Sequence, residues 1–328
     1  MITNVIPKSW NHPNHFLQAL DSPWYRSISE ILSEIVYTTT IHFKKKGFRA
    51  ALMPITCQSI SSPMGLGSDS VPVEIDLMGE RVFLADSMQF LLEYLLRQDV
   101  KGVWYIMPTF RGEDPDERHL NQFFHLEAEI EGGFENVMDC VEGLIREIVH
   151  HLHVQKCIEG SHIDAFLALD QIPKISMEEA LYLCTELEGT SKKILPGVYA
   201  LTKEGEQYLT THVFKGPVWV THLPRMSVPF YQAFEKETAL CADLLMGSGE
   251  VVGCGERITD PRLIIQSLRD HQVDWEDYAW YIKMKAEKSL RTSGFGMGIE
   301  RFLLWLFDHN DIRDIPIFPR LKGVPANP

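Results

Sequence analysis

Apolar residues recur at helical spacing in Ile28, Ile31, Leu32, Ile35, Val36 and Phe43, which predicts an amphipathic helix early in the chain. The helix is expected to stop at the basic run Lys44–Lys46 and Gly47, because cations complement the carbonyl end of a helix and glycine supplies its terminating turn. The pattern then becomes strand-like. FRAALMPI reads as a short strand ending at Pro54, and the Ser/Gly/Pro-rich loop SSPMGLGSDS separates it from VPVEIDLMG and ERVFLAD, which read as a hairpin. Residues 87–98 return to helical spacing. VWYIMPTF and FFHLEAEIEG are strand-like on either side of a polar loop, and residues 134–153 form an amphipathic helix. His150, His151 and His153 near its end read either as metal ligands or as cations suited to a helix C-terminus.

Residues 154–215 are less regular apart from a helix at 177–187 and read as an insertion. Strand character returns in GPVWVTHLP and GEVVGCGERI. A helix is expected around 275–288, and RTSGFGMGIERFLLWLF reads as a strand that turns through glycines into a buried helix. Nothing repeats at a fixed period, and no low-complexity linker divides the chain. Strands and helices in mixed order favour one α+β domain built on an antiparallel sheet. Residues 1–23 are its N-terminal extension and residues 24–328 its body, with the insertion at about 154–215.

The chain has 328 residues, 45% hydrophobic and 23% charged, enough to bury a large core. Its formal net charge of −14 repels polyanions on average, which argues against sequence-independent phosphate binding by the whole surface and leaves local basic pockets open. No run approaches the roughly 18–20 apolar residues that span a bilayer, and the start lacks the apolar stretch of a secretory signal. A cytoplasmic location with no membrane partner is therefore expected. The six cysteines are scattered without CxxC pairs, which suits reduced thiols in ordinary packing better than a zinc site or disulfide frame.

Two arginines stand out. Arg111 in PTFRGED and Arg301 in GMGIERFLLW follow partly apolar stretches, where a guanidinium needs an anion: a phosphate, a carboxylate, or a structural ion pair such as Arg301 with Glu300. Asp243 and Glu250 lie seven residues apart in DLLMGSGE, whose glycines allow a tight turn. Carboxylates brought together there repel unless a cation lies between them, which suits Mg²⁺ carrying nucleotide phosphates; two solvated surface acids are the alternative. The glycines of GFGMG lack the spacing of a dinucleotide or Walker fingerprint and instead allow close backbone approach. Phe123, beside the polar loop, could stack on a purine or join the core.

In order along the chain these pieces resemble the three signature motifs of class II aminoacyl-tRNA synthetases, and in detail the asparaginyl and archaeal-type aspartyl branch, over about residues 24–320. The early helix, strand and Pro54 look like motif 1, which implies a homodimer. TFRGEDPDERHLNQFFHLEAE resembles motif 2, implying that Arg111 holds the α-phosphate of ATP, Glu113 the adenine amino side and Phe123 the adenine face, with Arg118 and His119 near the outer phosphates. SGFGMGIERFLLWLFDHNDIRDIPIFPR is similar to motif 3, where Arg301 would grip the γ-phosphate, and Asp243 and Glu250 fall at the branch's Mg²⁺ acids. Gln89, Glu93, Glu206, His222, Arg257 and Lys285 fall on the substrate side. Leu92 stands where aspartyl enzymes carry a lysine, Lys285 where an arginine is aligned, and Ser62 and Pro63 near the family's Glu-Gly clamp for the α-amino group.

The resemblance implies an ATP-dependent ligase that activates an aspartate- or asparagine-like carboxylate as an acyl-adenylate and releases pyrophosphate. Only some twenty residues precede motif 1, where asparaginyl and aspartyl enzymes carry an anticodon-reading OB-fold, so ammonia or a small amine is the expected acceptor and an amide the product. A truncated paralog acylating tRNA or a protein, and a non-catalytic nucleotide- or amino-acid-binding paralog, are the alternatives.

Overall fold

The structure is a computed structural model that describes residues 6, 8–62 and 70–324. Most of the loop SSPMGLGSDS, including Pro63, lies outside the described residues. Eight strands form the central sheet: β1 Arg49–Ala50, β2 Gly102–Phe110, β3 Gln122–Glu131, β4 Lys174–Ser176, β5 Val218–Thr221, β6 Cys241–Met246, β7 Gly249–Glu256 and β8 Thr292–Gly298. They lie in the order β1-β2-β3-β8-β7-β6-β5-β4. The six inner strands pair antiparallel, while β1 on β2 and β4 on β5 close the edges in parallel.

Alternation decides which face is which, because successive strand residues point to opposite sides. Leu126, Ala128 and Ile130 of β3, Ala242, Leu244 and Met246 of β6, Val252 and Cys254 of β7, and Phe295 and Met297 of β8 enter one large core. Helix Phe134–Val154 covers that face with Val137, Val141, Leu144, Ile148 and other apolar residues, and the early helix Pro23–Lys46 packs against it. The opposite face carries His125, Glu127 and Glu129 of β3 and Asp243 of β6, beside glycines of β7 and β8. A polar trough therefore lies across the middle of the sheet.

The early helix ends in Lys44–Lys46 with Gly47 left-handed at its cap, as its sequence predicts. The hairpin Val73–Leu77 with Glu80–Leu84 also forms, joined by Thr56–Cys57. FRAALMPI contributes only Arg49–Ala50 to the sheet. Residues 8–22 lie against the body of the protein: Ala19 enters the main core, and His15 lies 3.1 Å from the Ile317 carbonyl. Residues 154–215 contain more regular structure than expected. They supply two helices, Ser161–Ala168 and Met177–Leu183, the edge strand β4, the hairpin Ser191–Leu195 with Val198–Leu201, and a turn of helix at Lys203–Tyr208. Met177, Ala180, Cys184 and Leu201 then share a second core with the far side of β5 and β6. All six cysteines are free. No helix among the described residues is long and apolar enough to cross a membrane.

Candidate active site

The end of β2 and the start of β3 deliver the first group of residues. Arg111 N donates to the Asn121 carbonyl at 2.9 Å, and Asn121 Nδ2 donates back to the carbonyls of Arg111 and Glu113, which closes the loop between the strands. The Arg111 guanidinium then lies 5.7 Å from the centre of the Phe123 ring, and its buried Nε has no hydrogen-bond partner among the described residues. Arg118 reaches the same cleft with Nη2 bonded to Glu206 Oε2 at 2.7 Å, and His119 is turned by Asp116 Oδ1 at 2.8 Å.

Helix Ile299–Leu306 supplies Arg301 from its first turn, directly after the glycines of β8. Arg301 pairs with Glu250 rather than with its neighbour Glu300, whose carboxylate instead accepts the Phe124 N–H. Burial pushes the Arg301 pKa down, and Arg118 and Arg111 add to this against the pull of Glu250. Three guanidiniums gathered in one cleft, one of them held below its usual range chiefly by burial, suit a multiply charged anion. Arg111, Arg118, His119, Phe123 and Arg301 line one cleft of about 580 Å³.

Asp243 and Glu250 stand on the paired strands β6 and β7, joined by the tight turn at Gly247 and Gly249. Both reach over Gly253: a Cβ at that position would lie 3.1 Å from Glu250 Oε1 and 3.6 Å from Asp243 Oδ1. Burial first, then Glu250 and Glu206, push the Asp243 carboxyl well above the usual range. Among the described residues no set of three or more histidine, cysteine, aspartate or glutamate side chains is arranged to hold a metal alone. A carboxylate pair beside a phosphate-sized cleft is nevertheless what magnesium shared with phosphates requires.

The second hollow, of about 1020 Å³, meets the first at Arg111, His125, Glu250 and Gly296, which line both. Arg257 dominates it. Its Nε and Nη2 donate to Glu129 Oε1 at 2.9 and 2.5 Å, Nη2 also to Gln89 Oε1 at 3.2 Å, and Nη1 to Gln232 Oε1 at 3.2 Å. Asp86 anchors the start of the loop after Pro54 by accepting Ser61 N, Ser61 Oγ and Ser62 N. Glu127 receives the Ser87 and Tyr105 hydroxyls, with His125 Nδ1 3.1 Å away. Glycines give this trough its depth: a side chain on Gly296 would meet Glu127 at 3.2 Å, and one on Gly294 would meet Glu129 and Arg257.

Not every expected residue reaches the cleft. Glu113 lies outside its lining, with Oε2 accepting Val71 N at 3.4 Å. Glu93 and Lys285 are both fully buried and bonded to each other, away from the lining. They form a layer with Tyr281, Thr292 and Arg97. His222 lies outside these hollows, edge-on to Phe134 at 5.6 Å. Glu206 sits with Arg118 on the phosphate side. Sequence reasoning missed Asp86, Ser87, His125, Glu127, Glu129 and Gln232, although polar residues alternating with Leu126, Ala128 and Ile130 on a buried strand were a usable signal for three of them.

The family model "tRNA synthetases class II (D, K and N)" matches residues 10–322. The chain belongs to this family. Asparagine–tRNA ligase of Syntrophobacter fumaroxidans is 28% identical, with 90% of this chain and 70% of that protein covered. Among solved structures, asparaginyl-tRNA synthetase of Pyrococcus horikoshii complexed with asparaginyl-adenylate is similar in fold, with a TM-score of 0.86 at 22% identity over 97% of this chain and 73% of that one. The Entamoeba histolytica asparaginyl-tRNA synthetase gives 0.82 at 20% identity over 99% and 74%. The mostly antiparallel sheet is thus the class II synthetase fold, and the protein is an ATP-dependent, aminoacyl-tRNA synthetase-like ligase.

Proposed function

We propose that the cleft binds ATP, the adjoining hollow binds an asparagine- or aspartate-like amino acid, and the two react to give an acyl-adenylate and pyrophosphate. The observation that carries this reading is the convergence of Arg111, Arg118 and Arg301 on one cleft beside Asp243 and Glu250. Arg111 holds the α-phosphate, with Phe123 on the adenine face, while Arg301, Arg118 and His119 hold the outer phosphates. Glu113, expected at the adenine amino group, lies outside the lining of this cleft. Asp243 and Glu250 fit magnesium, since their mutual repulsion is what a cation relieves. When bound, the ion neutralises charge on the phosphate oxygens.

Gln89 and Arg257 face the amino acid, and Glu93 with Lys285 stiffens the layer behind them. The substrate carboxylate is ionised at neutral pH, so attack on the α-phosphate needs no general base. The fixed guanidiniums meet charge growing on the phosphate without reorganising. The acyl group then passes to ammonia or a small amine to form an amide. A second reading, transfer to tRNA, is favoured by the similarity to an asparagine–tRNA ligase. A homodimer through motif 1 is supported by exposed Val36, Tyr37, Leu52 and Ile55 on the early helix and the segment after it.

Pyrophosphate exchange into ATP, screened over amino acids beginning with asparagine and aspartate, tests the first step. No exchange with any carboxylate would leave only nucleotide or amino-acid binding. A charging assay with total tRNA tests the acceptor, and acylation of RNA at useful rates would sink the amine reading.

A further inference from the structure

A third hollow opens on the same two acids, and the insertion supplies half of its lining. Its volume is about 980 Å³, and it shares Leu223, Ser227, Asp243 and Glu250 with the amino-acid hollow. Beyond that junction five apolar side chains, Met177, Ile194, Leu201, Val220 and Leu245, line it together with Glu206, the partner of Arg118. Their origins are distinct, since Met177 starts the helix Met177–Leu183, Ile194 and Leu201 come from the hairpin, Val220 from β5 and Leu245 from β6. One cation, Lys192, lines it. The hairpin register sets Lys192 directly opposite Ala200, which lines the same hollow, so both present one face of the hairpin to it.

This lining discriminates between acceptors. Ammonia has no hydrocarbon to bury and gains nothing from five apolar side chains. An RNA end brings ribose and phosphate, which would set phosphate against the carboxylates of Glu206, Asp243 and Glu250 and ribose against apolar side chains, with a single lysine among the described lining residues to offset them. A small molecule with an apolar body, one anionic group and an amine matches a hollow that combines apolar side chains with one cation, Lys192, and the carboxylates of Glu206, Asp243 and Glu250.

We propose that this hollow is the acceptor site and that it takes an amino acid with an apolar body, its carboxylate facing Lys192 and its amine facing the activated acyl carbon. The proposal rests on the adenylate reading above. The lone pair of the uncharged amine attacks the acyl carbon and a C–N bond forms. The C–O bond to phosphate breaks with its electron pair remaining on AMP, and the extra proton on nitrogen passes to solvent. The product is an amide between two amino acids.

The test measures AMP formation by the full chain with ATP, magnesium and whichever acid supports exchange. L-Leucine and 6-aminohexanoate are compared with isopentylamine and pentylamine, the same molecules without carboxylate, and with ammonium and total tRNA. The amino acids are expected to exceed the matched amines by about tenfold, the size of one partly buried charge-assisted contact. In Lys192→Glu, AMP formation divided by the exchange rate of the same variant is expected to fall about tenfold for the amino acids while holding for the amines. Exchange on each variant reports that it is folded. Equal rates for amino acids and amines, or ammonium or tRNA consumed in preference, would overturn this proposal alone. Absence of exchange with every acid would overturn the adenylate reading, and this one with it.

Discussion

Arg301 Nη1 stands 3.1 Å from the main-chain oxygen of Glu250 and 3.4 Å from its Oε2, so the cation heading the last long helix is tied to the acid at the start of β7. Each therefore orients the other across the phosphate cleft. Arg301→Ala and Glu250→Ala are each expected to lower pyrophosphate exchange by at least about a hundredfold, the scale of removing one fixed charge from a developing phosphate anion. Circular dichroism and thermal unfolding should stay close to the parent, because neither side chain belongs to the core. Near-normal exchange in either variant would show the phosphate assignment to be wrong.

Gly253 tests the metal pair without removing a charge. A methyl group there would stand 3.1 Å from Glu250 Oε1 and 3.6 Å from Asp243 Oδ1, closer to the former than side chains ordinarily tolerate. Gly253→Ala should push the acids apart by a few tenths of an ångström. Magnesium tolerates departures from its preferred geometry poorly, so the magnesium concentration for half-maximal exchange is expected to rise about tenfold. An unchanged magnesium titration would place the ion elsewhere.

Much of this was legible before any coordinates. Alternation on a half-buried surface announced β3 and β8, and the basic run with Gly47 marked the end of the early helix. Local signals also set Arg111, Arg301, Asp243 and Glu250, because each breaks an apolar pattern that would otherwise exclude charge. Residues 154–215 were hard to read because their elements are short, and short helices and strands owe their existence to the second core rather than to propensity. The helix Pro261–Asp270 was missed although Asp260 caps it and Pro261 opens it, a pattern that does signal a helix start. Glu93, Lys285 and His222 mark the limit of motif alignment. Alignment places a residue along the chain, whereas burial and partners decide what its side chain can touch.

The Glu93–Lys285 pair is fully buried, with Tyr281 and Thr292 hydroxyls completing the shell of the carboxylate. Burial works to raise the Glu93 pKa, and the Lys285 ammonium beside it, with the hydroxyl of Tyr281, brings it below the usual range. Removing one partner leaves a charge without compensation. Lys285→Met and Glu93→Gln are each expected to cost about 3–5 kcal/mol of unfolding free energy, and the double variant less than the sum. Urea denaturation of the four proteins measures this. If the pair instead bound substrate directly, exchange would collapse at unchanged stability.

Glu300 offers a pH handle beside the phosphate cleft. Burial raises its pKa to about 7, opposed by the Phe124 N–H that its two oxygens share at 3.1 and 3.0 Å. The folded protein therefore keeps a proton that the unfolded chain releases near 4.5. This contribution to stability is complete below the unfolded value, declines as pH rises toward about 7, and is lost above it; the span corresponds to about 3 kcal/mol. Glu300→Gln keeps a neutral group of the same size with an oxygen for Phe124 and has no proton to lose. Its unfolding free energy should gain on the parent by about 3 kcal/mol between about pH 4 and about pH 8. Parallel pH profiles for parent and variant would mean that Glu300 is ionised throughout and that its hydrogen bonds outweigh its burial.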